Sequence, residues 1–514
     1  MTHYPADTVL ALLASGADTA PAIGAPKSAD TIRPPLTHGE LRALAGRTIA
    51  ELNSFGIGRN DRVAMVVPNG PEMAAGFIAI ACGATTAPLN PAYKAEEFDF
   101  YLSDLNARAL VIQQGMDSPA RAVAAARNIP VIELIPDGPA GNFTLVPEHP
   151  LSGVAENPGP AEAQDIALVL HTSGTTSRPK IVPLRHINVT ASAYHIGECL
   201  ALTPDDVCLN IMPLFHIHGL IAATLSSIAA GGAVVCTPGF NAFRFFAQFD
   251  AARPTWYTAV PTMHQAIEGL AARNKDLIAR GRLRFIRSSS ASLPPQVMDA
   301  VERAFGVPVI ESYGMTEAAH QMASNPLPPR PHFAGSVGVA AGPEIAVMDE
   351  DGNILAQDEL GEIVIRGRNV TAGYENNPAA NATAFVNGWF RTGDQGYLDD
   401  QGYLRLTGRL KELINRGGEK ISPIEVDIIL MDHPAVEQAL TFAMPHDKLG
   451  EEVACVIVLR EGLIATDHEL REFAGTRLAA FKVPRRIIFL VELPKGATGK
   501  LMRIGLAEKL GLIG

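Results

Sequence analysis

The segment HTSGTTSRPK, residues 171–180, sets the hydroxyls of Thr172, Ser173, Thr175, Thr176 and Ser177 around Gly174 and ends on Lys180. Hydroxyls, exposed backbone amides and one point charge in a short loop suit phosphate oxygens. The loop is not a Walker A sequence, because GxxxxGK[ST] does not fit it. A second segment, ESYGMTE at 311–317, follows the apolar run VPVI. There Tyr313 offers a flat face for a purine, Thr316 a hydroxyl, and Glu317 a carboxylate for Mg²⁺. In WFRTGD, 389–394, Asp394 is placed to accept both hydroxyls of a ribose. Two more segments follow: GRLKELINRGGEKISPIE at 408–425, and PKGATGK at 494–500, which sets Lys500 on a Gly/Thr turn. Any one of the five reads equally well as a solvated turn. All five in this order do not.

The elements around them alternate between strand and helix. RVAMVV from Arg62 precedes a helical GPEMAAGFIAIACGA, and DIALVLH from Asp165 runs straight into the first loop. LRFIRSS and VPVIESYG likewise end in small or polar residues. This rhythm predicts an α/β fold of mainly parallel sheets whose ligands lie beyond the carboxyl ends of the strands. Beyond about Gly335 the strands shorten into hairpins with turn signals such as Asp351-Gly352, which predicts a small β subdomain. After Arg409 a Gly-broken loop, a helix from near Ser422, two strands and a helix over HELREFAGTRLAAF predict a separate α+β domain. The expected division is a large N-terminal domain, 1–409, and a small C-terminal one, 410–514.

At 514 residues the chain is too long for one core, and 47% hydrophobic with 19% charged residues is ordinary globular composition. A formal charge of −12 argues against a nucleic-acid partner or an anionic membrane surface. The five cysteines, Cys82, Cys199, Cys208, Cys236 and Cys455, form no CxxC pair and read as reduced, mostly buried thiols. The N-terminus lacks a basic region before its apolar stretch, so no signal peptide is expected. The uncharged run Gly219–Cys236 is broken by Ser226, Ser227 and Gly231-Gly232, which suits a buried helix turning into a strand better than a membrane span. A cytoplasmic enzyme without stable membrane insertion is expected. The oligomeric state stays open.

Together the five motifs resemble those of the adenylate-forming superfamily of acyl-CoA synthetases, luciferases and peptide-synthetase adenylation domains, over nearly the whole chain. The resemblance implies a large domain of packed β/α subdomains and a small mobile C-terminal domain. It assigns Thr172, Ser173, Gly174, Thr175, Thr176 and Lys180 to the β- and γ-phosphates of ATP, and Glu311, Ser312 and Tyr313 to the adenine. Thr316 would meet the α-phosphate, Glu317 would hold Mg²⁺, and Asp394 and Arg409 would take the ribose. Lys500 would be the adenylation lysine and Lys411 the hinge, while Gly417, Gly418 and Lys420 would face coenzyme A. The family loop usually carries glycine where Ser177 and Ile181 stand here, and a positive φ at Ile181 would be strained.

The same resemblance places the acid between MPLFHIHGL (212–220), the stretch Ser288–Ser292 and the residues after ESYGMTE. Many relatives have glycines in the second of these. Here Ser290, Ala291 and Ser292 stand beside the adenine and the acid, and Ser290 both shortens the pocket and adds a donor. His216 and His320 are expected to point inward. A hydrocarbon tail would leave such groups unpaired at ~1–3 kcal/mol each, whereas a short dicarboxylate would satisfy them. TSGTTSRPK, PLFHIHGL, RSSSASL, TEAAHQMASNP and INRGGEKISPIEVD are most similar to the oxalate–CoA ligases. On that resemblance His216, Ser290, Ser292 and His320 hold the acid; malonate or another short, medium or aromatic acid is the alternative. A luciferase-like oxygenase, a module feeding a carrier protein and a nucleotide-binding sensor are the competing classes. The joint presence of Lys500, Glu317, Asp394 and Arg409 disfavours the sensor, since binding alone needs no adenylation lysine.

Overall fold

The computed structural model describes residues 4–26, 33–172, 179–494 and 501–512. Among these the strands gather into four sheets. A seven-stranded sheet runs in the order Phe143–Pro147, Val131–Pro136, Ala109–Gln113, Arg62–Val66, Thr85–Pro88, Ile166–Thr172 and Lys180–Arg185. Its inner strands pair in parallel and its two edge strands antiparallel. Buried on both faces, such strands read as continuous apolar runs, as RVAMV does. The helix Pro71–Ala81 that follows is buried at every position, which its all-round apolar sequence requires. Pro71 at its first turn starts it without losing a needed hydrogen bond.

A nine-stranded sheet carries Val207–Asn210, Trp256–Ala259, Phe285–Ser288 and Val309–Met315 as parallel neighbours at its centre. The apolar run after His218 folds as expected. It forms a π-helical stretch His218–Leu225, a helical turn Ser226–Ala229, a left-handed Gly231 (φ 74°) and the strand Ala233–Cys236. Among the described residues no helix is long and apolar enough to cross a membrane.

The hairpins foreseen beyond Gly335 form a five-stranded sheet built on Glu344–Met348, Gly361–Arg366 and Trp389–Leu398, with Leu404–Arg409 paired alongside. The last sheet joins Ile414–Arg416, Glu419–Ile421, Val436–His446, Gly450–Leu459 and Arg486–Phe489. It packs on the helix Pro423–Met431, which Ser422 caps. Large and small portions thus follow one another as the sequence pattern suggests. The helix expected over HELREFAGTRLAAF stops at Gly475, where Gly and Thr476 weaken helix propagation. A short helix Leu506–Lys509 comes after it.

Apolar packing continues from the nine-stranded sheet (Tyr257) and the helix Pro295–Phe305 (Val297, Phe305) to Val426 and Leu430 of the C-terminal portion. Gln296 adds a polar bridge, its amide donating to the Ile428 carbonyl at 3.2 Å.

Gly314 shows how tightly the sheet edge is set beside the site. The pairing of Val309–Met315 with His320–Ser324 shifts register between Tyr313 and Gly314. A Cβ on Gly314 would stand 1.7 Å from the His320 carbonyl oxygen. Gly314→Ala is therefore expected to lose about 1–3 kcal/mol of stability or more by overpacking. Urea unfolding followed by circular dichroism measures it, and an unchanged midpoint contradicts the packing.

Candidate active site

Ser288 pairs with Glu311 across the parallel strands Phe285–Ser288 and Val309–Met315. The two polar segments Ser289–Ser292 and Ser312–Glu317 therefore leave the same sheet end side by side, where α/β sheets place their ligands. A cavity of about 250 Å³ lies there. It is lined by Ser290, Ala291, Ser292, Glu311, Ser312, Tyr313, Asp394 and Arg409, with Thr262 beside them. Asp427, Met431 and Arg503 close it from the C-terminal side.

At one end, Glu311 is buried; its Oε1 accepts the Leu293 amide at 2.8 Å while its Oε2 has no partner among the described residues. Burial pushes its carboxyl up to about 8, so it stands mainly as a neutral acid at neutral pH. Tyr313 donates its hydroxyl to Asp394, whose other oxygen lies 3.3 Å from Nε of Arg409. The antiparallel register that places Asp394 opposite Arg409 makes that pair. Burial, then the Asp394 charge, holds the Tyr313 phenol well above its ordinary value.

Glu317 is also buried. It accepts the Tyr374 hydroxyl at 2.9 Å, and Lys180 lies over the same tyrosine ring at 4.3 Å. Burial raises the Glu317 carboxyl, while Tyr374, Arg409 and Lys180 pull it back down. Among the described residues no cluster of three or more His, Cys, Asp or Glu forms a metal cage. The buried Glu317 carboxylate, with Lys180 over the Tyr374 ring that it binds, nevertheless fits Mg²⁺, which is commonly held by one side chain, phosphate oxygens and water.

Behind Ser290, which lines the cavity, the groups are polar and the backbone is strained. Ser290 has φ 74° and His320 φ 93°, in the left-handed region that favours glycine. His218 Nδ1 lies 3.0 Å from Ser290 Oγ, and its Nε2 lies 2.6 Å from Thr258 Oγ1. The His218 and His320 rings are 5.1 Å apart. Behind them is Arg287, fully buried, 3.1 Å from Gln321 Oε1, 3.4 Å from His320 Nδ1 and 3.5 Å from His218 Nε2.

The remaining sequence candidates sit apart from the cavity wall. The ring bonded to Ser290 belongs to His218, not His216; His216 is half-buried and accepts the His218 amide at 3.3 Å. Thr172 pairs with Lys180 at the mouth of a hairpin, and Thr316 is half-buried in a short turn. Lys411 is exposed in the turn after Arg409. Gly418 (φ 99°) and Gly417 (φ 60°) form the tip of the hairpin that carries the exposed Lys420. Ser173, Gly174, Thr175, Thr176, Ser177 and Lys500 lie outside the described residues. The condition for strain at Ile181 is not met: the residue is buried in the strand Lys180–Arg185 opposite His171, and its φ is not positive.

Sequence reasoning missed Arg287, His218 and Tyr374. A signal existed for the first: Arg287 is the one charged residue within the strand Phe285–Ser288.

The raised Glu311 carboxyl sets a pH dependence. A group whose folded value lies above its unfolded one contributes stability below about 4.5, and that contribution is lost as pH rises through about 8. Glu311→Gln removes the titration. The urea stability of the variant relative to the parent is expected to rise between those limits, by up to ~1.4 kcal/mol per pH unit. A gap constant from pH ~5 to ~9 would contradict the buried neutral acid.

The AMP-binding enzyme family matches residues 25–375, and the AMP-binding enzyme C-terminal domain matches residues 425–500. A probable CoA ligase, CCL9, of Humulus lupulus is 47% identical over 481 residues, covering 92% of this chain and 91% of the relative. The oxalate–CoA ligase of Arabidopsis thaliana is 46% identical over 476 residues, covering 91% and 92%. The crystal structure of ATP-bound MatB from Rhodopseudomonas palustris superposes with a TM-score of 0.86 at 29% identity over 98% of each chain. A match of this extent, with both parts in order, places the chain in the AMP-binding enzyme family.

Proposed function

We propose that this protein is an oxalate–CoA ligase: it activates oxalate with ATP as an acyl-adenylate and transfers the oxalyl group to coenzyme A. The observation that carries the reading is Ser290, which lines the cavity in a left-handed conformation with His218 Nδ1 3.0 Å from its hydroxyl and the His320 ring beside that of His218. A hydrocarbon chain against that wall would leave the Ser290 hydroxyl facing carbon, whereas a second carboxylate would accept its hydrogen. The likeness to the Arabidopsis thaliana oxalate–CoA ligase supports the same substrate.

In the first step an oxalate oxygen attacks the α-phosphorus, and the bond to diphosphate breaks. Two anions must approach, so cations have to offset the repulsion as charge develops. Lys500 would grip the carboxylate and α-phosphate, beside Thr316. The loop from Thr172 to Lys180 would hold the outer phosphates. Mg²⁺ held by Glu317 would supply further charge neutralisation on those phosphates. Glu311, Ser312 and Tyr313, with Ala291 and Ser292, would frame the adenine, and Asp394 and Arg409 the ribose. Asp394 already accepts the Tyr313 hydroxyl, which fixes its carboxylate for that task.

In the second step the coenzyme A thiol attacks the acyl carbon, the C–S bond forms, and AMP leaves with the anhydride oxygen. Water would destroy the anhydride, so the 410–514 domain has to cover it and then swing aside about Lys411. Gly418 and Lys420, exposed on their hairpin, are available to meet coenzyme A after that rotation. The reaction is placed in the cytoplasm.

The test is CoA- and ATP-dependent AMP release across oxalate, malonate, acetate, octanoate and coumarate. Selectivity for oxalate is expected, and Lys500→Ala should lower its rate ~10²–10³-fold by removing a cation from the transition state. Turnover only with longer or aromatic acids would discard oxalate, and undiminished adenylate formation by Lys500→Ala would discard the lysine's role.

A further inference from the structure

We propose that Arg287 makes the cavity demand a second carboxylate, as a positioning residue that acts through His218 and His320. This rests on the acid-ligase reading above and adds to it the residue that sets substrate class. The side chain is fully buried, and the groups it meets are the Gln321 amide oxygen and two imidazole nitrogens. Its Nε has no partner, and among the described residues no carboxylate pairs with it. Burial lowers its pKa to about 10. An uncompensated buried cation is strongly unfavourable, and its natural complement is an anion brought in from outside.

A guanidinium can only donate hydrogen bonds, so the ring nitrogens that face it must accept. Those are Nε2 of His218 and Nδ1 of His320. Both rings are thereby held neutral with the proton on the far nitrogen. The Thr258 hydroxyl, 2.6 Å from the same His218 Nε2, then also donates to it. His218 Nδ1–H donates to Ser290 Oγ at 3.0 Å, which leaves the Ser290 hydrogen free to donate into the cavity that Ser290 lines. His320 Nε2–H is turned toward Ser289 Oγ at 3.5 Å. One fixed cation thus converts two amphoteric rings into one-way relays, and the Ser290 hydroxyl faces the cavity as a donor backed by positive charge. A distal carboxylate matches that end. A methyl group does not.

The experiment measures kcat and KM of the full-length protein and its R287M and R287K variants with oxalate, malonate and acetate, together with KM for ATP and the melting temperature. R287M is expected to raise KM for oxalate ~10–100-fold, to abolish the preference for oxalate over acetate, and to leave KM for ATP unchanged. It is also expected to melt higher than the parent, because an unpaired buried charge has gone; a purely structural arginine would give the opposite sign. R287K keeps the charge without the fork and should fall between the two, and it carries the test alone if R287M does not fold. An oxalate-to-acetate ratio unchanged in the variants, or a lower melting point with all three acids impaired together, overturns the role of Arg287. A parent enzyme that prefers malonate, with the preference lost in R287M, would instead overturn the oxalate reading and leave Arg287 in place.

Discussion

Ser288 and Glu311 stand opposite each other across two parallel strands, and the position of the whole site follows from that pairing. Because strands in parallel register end together, the serine run and the ESYGMTE segment emerge at one edge as facing walls. Everything else is brought to that edge by other contacts. Asp394 and Arg409 arrive on a hairpin of the five-stranded sheet, and Tyr313 ties the hairpin to the strand end through its hydroxyl. Tyr374 reaches Glu317 from a loop some sixty residues further along. A slip of one residue in the central pairing would turn the side chains of each wall to the opposite face.

The walls hold several groups in states that water would not favour. Glu311 is kept as a neutral acid by burial, with one oxygen unpartnered. Arg287 is kept as a cation without an acid beside it. Ser290 and His320 occupy left-handed backbone that glycine would adopt more easily. Each of these weakens the empty fold, and each is offset only by the large apolar cores on either side. Their concentration within a few residues of one cavity is what separates a binding site from an ordinary polar cleft.

The alternation of strands and helices, the buried Gly219–Cys236 run and the Ser422 cap were legible because local periodicity and turn chemistry determine them. Ser290 was legible as a departure from glycine, and its positive φ gives that departure physical meaning. Arg287 was not, because its partners His218, His320 and Gln321 come from separate parts of the chain and only the fold unites them. His218 went unnoticed beside His216 for a related reason. Two histidines two residues apart in an irregular turn carry no periodic signal, and the entry into the π-helical stretch decides which one is buried. Ile181 replaces a family glycine without strain because here it is already part of an antiparallel strand.

The central claim is that the acid becomes an adenylate in this cavity before coenzyme A takes part. Isotope exchange between diphosphate and ATP, run with oxalate and without coenzyme A, tests it directly. Exchange that depends on oxalate and disappears without it is the predicted result. Turnover of oxalate, ATP and coenzyme A with no such exchange, or with ADP and phosphate as products, would contradict the account.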